Sequence, residues 1–230
     1  MLKAVIFDLD GVLMKFNLDS KAIKEEVILF FENSGLEIGL LNPQEPFSEI
    51  KETVRSYFTA AGKDGEWIDA LLRKAENIPV EHEIRSAYAT ELLPNVEETL
   101  RALRSMGMKL GVFTYNNSEA ATIALRKNGI DSYFDALVAR DMVTRPKPNP
   151  IHLDAALKRL NVSKEEAICV GDSEMDIKPC KERGVTVVAI TTGIRGRQFL
   201  SQLKPDYLIG DLHELLAIVR NLASDRAEDR

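Results

Sequence analysis

At 230 residues, with 45% hydrophobic and 29% charged side chains, the chain is long enough for one substantial core plus a smaller inserted domain, and no apolar run approaches a membrane span. Its formal charge of −6 comes from interspersed acids and bases, which argues against a nucleic-acid or membrane partner and leaves a small, locally bound anion to expect. Cys169 and Cys180 form no CxxC pair and no disulfide framework, and the apolar run after Lys3 is too short for a signal-peptide core. Reduced, partly buried thiols in a cytoplasmic protein are the expectation.

Residues 2–9 are apolar without alternation, as in a strand covered on both faces. From about residue 19 to 92 helical spacing takes over, in Ile23/Val27/Phe30/Phe31, Ile50/Val54/Tyr57/Phe58 and Trp67/Leu71/Leu72. Breaks are expected at Asn42-Pro43 and over residues 62–65, and a separate helix over 80–91. Beyond Pro94 helices alternate with short apolar strands. Helices are expected over residues 96–106, 118–128, 151–160, 175–183 and 212–222, and strands over 109–113, 136–138, 167–170, 186–190 and 207–209. That alternation predicts an α/β fold with a doubly wound parallel sheet, its core formed by residues 1–15 and 92–230, with an all-helical domain of residues 16–91 inserted after the first strand. The polar tail from Ser224 is expected to fray.

Four polar clusters stand where apolar strands end. The first is Asp8-Leu9-Asp10-Gly11, two carboxylates that would repel each other unless a cation or a bend separates their roles; a pair of turn-forming aspartates is the ordinary alternative. The second, Thr114-Tyr115-Asn116-Asn117, precedes a helix whose free N–H groups and dipole suit phosphate, though one of these residues could simply cap that helix. In the third, Arg145-Pro146-Lys147-Pro148-Asn149-Pro150, prolines stiffen the chain around one lysine, which can act on phosphoryl oxygens and on Asp8 or stand solvated in a loop. The fourth, Gly171-Asp172-Ser173-Glu174-Met175-Asp176, repeats the logic of the first. Asp8, Asp172 and the Asp10 carbonyl could hold magnesium, with Asp176 supporting them, while helix capping is the plainer role. In an open parallel sheet these strand ends converge on one crevice.

Asp8-Leu9-Asp10-Gly11, Thr114, Lys147 and Gly171-Asp172 with Asp176 match, in order, the four motifs of the haloacid dehalogenase superfamily, which the sequence resembles over nearly its whole length. The helical insertion looks like the cap of the phosphoglycolate-phosphatase and β-phosphoglucomutase branch. The resemblance implies Asp8 as nucleophile, Asp10 as general acid and base, and Thr114 and Lys147 as phosphate binders. It further implies magnesium at Asp8, Asp10 and Asp172, with Asp176 in support. Tyr115 stands where an asparagine is often found; its backbone N–H remains available for phosphate, and Asn116 is the side chain that could substitute.

The expected activity is magnesium-dependent hydrolysis of a small phosphorylated metabolite through an aspartyl-phosphate. The core motifs alone do not separate this from a phosphomutase, whereas Asp10 weighs against a metal-free dehalogenase, which has no alkoxide to protonate. A phosphate-sensing scaffold without turnover is the reading from a different class. His82, His152 and His213 have no metal-ligand spacing and are expected at the surface or at helix ends. Trp67 and Phe30-Phe31 are expected as packing, and Arg195 and Arg197 in a solvated glycine-rich loop that could touch substrate.

Overall fold

The computed structural model describes residues 2–228. Among them a parallel sheet of six strands forms from β1 (Ala4–Phe7), β2 (Lys109–Phe113), β3 (Ala136–Val138), β4 (Ala167–Gly171), β5 (Thr186–Ile190) and β6 (Tyr207–Ile209). The spatial order is β3-β2-β1-β4-β5-β6. From β1 the chain builds outward through β2 and β3, then returns to the other side of β1 for β4, β5 and β6. The order therefore reverses at β1, the kind of switch point beyond whose strand ends open parallel sheets bind their ligands. The registers pair Phe7 with Val112 and with Val170, so Asp8, Thr114 and Asp172 all lie just past that edge.

Every residue of β1 and β4 is buried, because helices cover both faces of the sheet. The chain forms helices α1 (Ser20–Asn33), α2 (Phe47–Ala60), α3 (Gly65–Ala89), α4 (Val96–Ser105), α5 (Ser118–Lys127), α6 (Pro150–Leu160), α7 (Glu174–Arg183), α8 (Arg197–Gln202) and α9 (Leu215–Glu228). Alternate strand residues, such as Ala4 and Ile6 of β1 and Val187 and Ala189 of β5, meet Leu153, Leu157 and Leu160 of α6 and Ile177 of α7 in one core. Cys169 and Cys180 lie fully inside that core as free thiols.

By compactness the described chain divides into one unit, up to residue 16 and from residue 87 onward, and a second of residues 17–86. Where the chain leaves and re-enters the first unit its two stretches run antiparallel, with Leu93 N–H donating to Leu13 O and Lys15 N–H to Glu91 O. The second unit is helical. Val27, Phe31, Ile50, Val54, Phe58, Ile68, Leu72 and Ala75 close its apolar centre, and Asp19 caps α1 by accepting from the backbone of Lys21 and Ala22. Trp67 packs edge-on against Phe58, 5.0 Å between ring centroids, and Phe30 against Phe31 at 5.5 Å, so both aromatic groups act in packing.

Three local expectations need correction. No break separates a helix at Trp67 from another at Val80: α3 runs through Pro79 as one helix of 25 residues. Proline there forfeits one backbone bond, while the apolar residues of the preceding turns, through Ala75 and Ile78, anchor the helix in packed surroundings. Arg197 opens α8 instead of standing in a loop. The tail from Ser224 continues α9 as far as Glu228, and its last two residues lie outside the described residues.

Candidate active site

β1 stops at Phe7, and Asp8 is the first residue beyond it, its backbone N–H still donating to Val170 O at 2.9 Å. The chain then folds into a tight turn in which Leu13 and Met14 N–H donate to Leu9 O and Gly11 N–H to Met14 O. Gly11 adopts φ +78°, and a Cβ on it would come within 2.6 Å of the Asp172 carboxylate. The turn thus presses its backbone against Asp172 on the neighbouring strand end, an approach open to glycine alone.

Lys147 is the cation of this edge. Its side chain is 2% exposed, and Nζ donates to Asp8 Oδ1 at 2.7 Å and to Asp176 Oδ1 at 2.6 Å. It also sits 4.0 Å above the Phe113 ring centroid. Burial alone would lower its pKa, but Asp176 and Asp8 outweigh that and hold the ammonium above its ordinary value. Asp176 is committed elsewhere as well. Its Oδ2 accepts from Ser173 N–H and Oγ, closing the capping box that starts α7.

Asp172 is buried, with Oδ2 accepting from Ile194 N–H at 2.9 Å. Burial and then the Asp176 charge push its carboxyl up to about 7, against the Ile194 bond and Lys147. Asp8 is likewise raised well above the carboxylate range by burial and Asp176, with Lys147 opposing. Carboxylate oxygens of Asp8, Asp172 and Asp176 lie within 4.8 Å of one another. One ammonium does not balance three buried carboxylates, and hard oxygen donors in this number suit a divalent cation. Because both oxygens of Asp176 are already engaged, Asp8 and Asp172 are the better ligands. The Asp10 carboxylate is not part of this cluster.

Thr114 follows β2, 1% exposed, with N–H donating to Val138 O at 3.0 Å and Oγ1 accepting from Asn116 N–H. The N-cap of α5 is Asn117, whose Oδ1 accepts from Ala120 N–H, so Thr114 is not consumed as a helix cap. Tyr115 is half exposed, with its carbonyl accepting from the Arg140 guanidinium. Asn116 Nδ2 donates to Asp10 Oδ2 at 2.7 Å, which uses one of the two N–H donors of that amide.

Two groups of residues escaped the sequence reading. The loop after β5 is fastened to the site: Thr192 Oγ1 donates to Gly11 O, and a Cβ on Gly193 would overlap Asp172 Oδ2 at 1.8 Å. Arg195 beside it pairs with Glu174 instead of standing in solvent. The second is His152, expected at a surface or a helix end: it stands at the start of α6 but is fully buried beside Lys147, because both of its ring nitrogens have backbone partners within the fold. His82 pairs with Glu26, and His213 lies in a short 3-10 turn, neither near a metal-ligand set among the described residues. Arg145 is exposed.

Comparison with known proteins agrees with this geometry. Residues 5–190 match the haloacid dehalogenase-like hydrolase family. A pyrophosphatase PpaX of Bacillus velezensis is 31% identical over 223 residues, covering 94% of this chain and 95% of its own. Another, from Halalkalibacterium halodurans, is 40% identical over 124 residues, which take in 54% of this chain and 58% of that one. Among solved structures, a hydrolase from Pseudomonas syringae shares the fold with a TM-score of 0.68 at 22% identity, over 95% of this chain and 98% of its own. A match of that extent, with an aspartate-lysine-aspartate edge on a sheet wound outward from β1, makes this chain a member of the haloacid dehalogenase-like hydrolase family.

Proposed function

We propose that the chain is a magnesium-dependent phosphatase that hydrolyses small phosphorylated metabolites in the cytoplasm, with Asp8 as nucleophile and Asp10 as general acid and base. The observation that carries this reading is the buried Lys147, shared between Asp8 and Asp176 at the carboxyl end of the central strand. A lysine so held opposes the upward pull of burial and of Asp176 on the Asp8 carboxyl and adds positive charge where phosphoryl oxygens would gather. Magnesium held by Asp8, Asp172 and the Asp10 carbonyl would supply the remaining neutralisation of the phosphoryl group.

Asp8 attacks phosphorus while the bond to the leaving oxygen breaks, and Asp10 gives that oxygen its proton. A water then attacks the aspartyl-phosphate, Asp10 takes the water's proton, and phosphate leaves with Asp8 restored. Asn116, hydrogen-bonded to Asp10 Oδ2, holds that carboxyl at the edge; Thr114 and the Tyr115 backbone are assigned to phosphate. Substrate choice is assigned to the inserted helices, residues 16–91 in the sequence reading, acting as a cap domain. The mutase alternative is not favoured, since the family is one of hydrolases and full-length relatives carry the name pyrophosphatase. Pyrophosphate therefore joins phosphoglycolate and sugar phosphates in the first substrate panel.

The test is Asp10→Ala with p-nitrophenyl phosphate, whose leaving group needs no proton. Rapid mixing should give a burst approaching one nitrophenolate per site followed by slow turnover, with phosphate mapped to Asp8 by mass spectrometry. Asp8→Asn should give neither. An alanine variant without a burst, losing aryl and alkyl phosphate hydrolysis in equal proportion, would remove Asp10 from the acid-base role.

A further inference from the structure

His152 stands in the first turn of α6, fully buried, and each of its ring nitrogens meets a different backbone segment. Lys147 N–H donates to Nδ1 at 3.1 Å, so Nδ1 carries no proton. The proton therefore sits on Nε2, which donates to Val138 O at 3.0 Å. Val138 O is also the acceptor of Thr114 N–H. One imidazole thus links the lysine segment to the end of β3, and through the same carbonyl to the threonine that follows β2. Its ring also meets Phe113 edge to face, 5.8 Å between centroids, on the phenyl group that lies under the lysine ammonium.

The proline pattern makes this contact matter. Pro146, Pro148 and Pro150 have no N–H, so only Lys147 and Asn149 offer backbone donors between residues 146 and 150. Asn149 N–H closes back on Pro146 O within the segment. Of these two backbone donors only the Lys147 N–H goes to a side chain, and His152 is that side chain. Burial, only partly offset by Val138 O and reinforced by the Lys147 charge, lowers the imidazole to about 4, which keeps Nδ1 an acceptor at neutral pH.

We infer that His152 is a positioning residue for Lys147: it fixes the lysine backbone so that Nζ reaches Asp8 and Asp176. This rests on the phosphatase reading only for the consequence in turnover. Phenylalanine at 152 would fill similar space but leave the Lys147 N–H without its acceptor. Asparagine restores an acceptor near Nδ1 but not the reach to Val138, and glutamine restores the far donor but not the near acceptor.

The experiment compares His152→Phe, His152→Asn and His152→Gln in the full chain, by kcat for p-nitrophenyl phosphate and by hydrogen exchange of the Lys147 amide followed by NMR. The phenylalanine and glutamine variants should lose about 10–100-fold in kcat, as small displacements of a reacting group do, while asparagine recovers most of that loss. The Lys147 amide should stay protected in wild type and asparagine and open in the other two. Asparagine and glutamine impaired alike, or a phenylalanine variant with wild-type kcat and a protected amide, would overturn the inference. If no variant folds, the tautomer in wild type decides by 15N shifts, since a proton on Nδ1 is incompatible with the role. A fully active Lys147→Ala protein would instead defeat the phosphatase reading, and amide exchange would still judge His152.

Discussion

The two compact units bury different things. In the unit built on the sheet, Lys147, Asp8, Asp172 and Asp176 are all buried together at one edge. In the inserted helices the centre is apolar, and the ion pairs Lys51–Glu76 and Arg55–Asp69 and the His82–Glu26 hydrogen bond lie at the surface. Glu83 is the charged residue buried there. Burying an ionised group costs several kcal/mol unless its partners are well placed, so a cluster of four is retained at a net cost to stability that function has to justify. The contrast supports the proposed placement of the chemistry in the sheet unit, while the helices show the ordinary economy of an amphipathic bundle.

The largest effect expected from that contrast is at Lys147. Lys147→Met should lower turnover on the order of 10³-fold, and should destabilise the protein by about 3–5 kcal/mol at pH 8 because buried carboxylates lose their cation. The loss of stability should shrink toward pH 6 as those carboxyls take up protons. Lys51→Met, removing a half-exposed partner of Glu76, should change neither quantity measurably. Equal losses from the two substitutions, read by thermal melting and by kcat, would erase the distinction between the units.

Next comes the response to metal. Asp172 is raised from 3.8 to about 7 in the folded chain, so between those values the folded state holds more protons than the unfolded one. Its contribution to stability is present at low pH and is lost as pH rises through 7, until a cation replaces the proton. Magnesium should therefore raise the melting temperature more at pH 8 than at pH 6, with apparent affinity falling about tenfold per pH unit on the acid side. Asp172→Asn should flatten that dependence. An unchanged pH response in the asparagine variant would take Asp172 out of the metal site.

Much of this was legible because it is written locally. Each of Asp8, Thr114 and Asp172 ends an apolar strand, and the alternation of strands with helices puts those ends on one edge. Asp176 could be read because it falls on the first turn of the helix that Ser173 caps. What stayed hidden depends on partners distant in sequence. Nothing near Asn116 announces that its amide reaches Asp10, 106 residues away, and Gly193 looks like loop composition until Asp172 is found occupying the space of its absent Cβ. His152 reads as a polar residue on a helix because its acceptor, Val138 O, comes from a strand 14 residues upstream. The separate helix expected over residues 80–91 erred in the opposite direction, since α3 runs unbroken through Pro79, where the packing of the turns before it outweighs the proline.

The smallest expected effect tests the other half of the comparison. Arg55 Nη2 stands 2.6 Å from Asp69 Oδ1, as close as Lys147 stands to Asp176, so distance alone would rank the two pairs equal. They differ in surroundings: side-chain exposure is 51% and 47% for the first pair and 2% for both members of the second. Water screens the exposed pair, and ordering two long side chains offsets what attraction remains. A double-mutant cycle of Arg55→Ala and Asp69→Ala should give a coupling of about 0.2–1 kcal/mol that fades as salt is raised. The same cycle on Lys147→Met and Asp176→Asn should give a larger coupling that salt hardly touches, because no counter-ion reaches a pair closed from solvent. If the two couplings agree in size and in salt response, burial is not what separates the units, and the reading of the sheet edge as a built electrostatic site loses its physical ground.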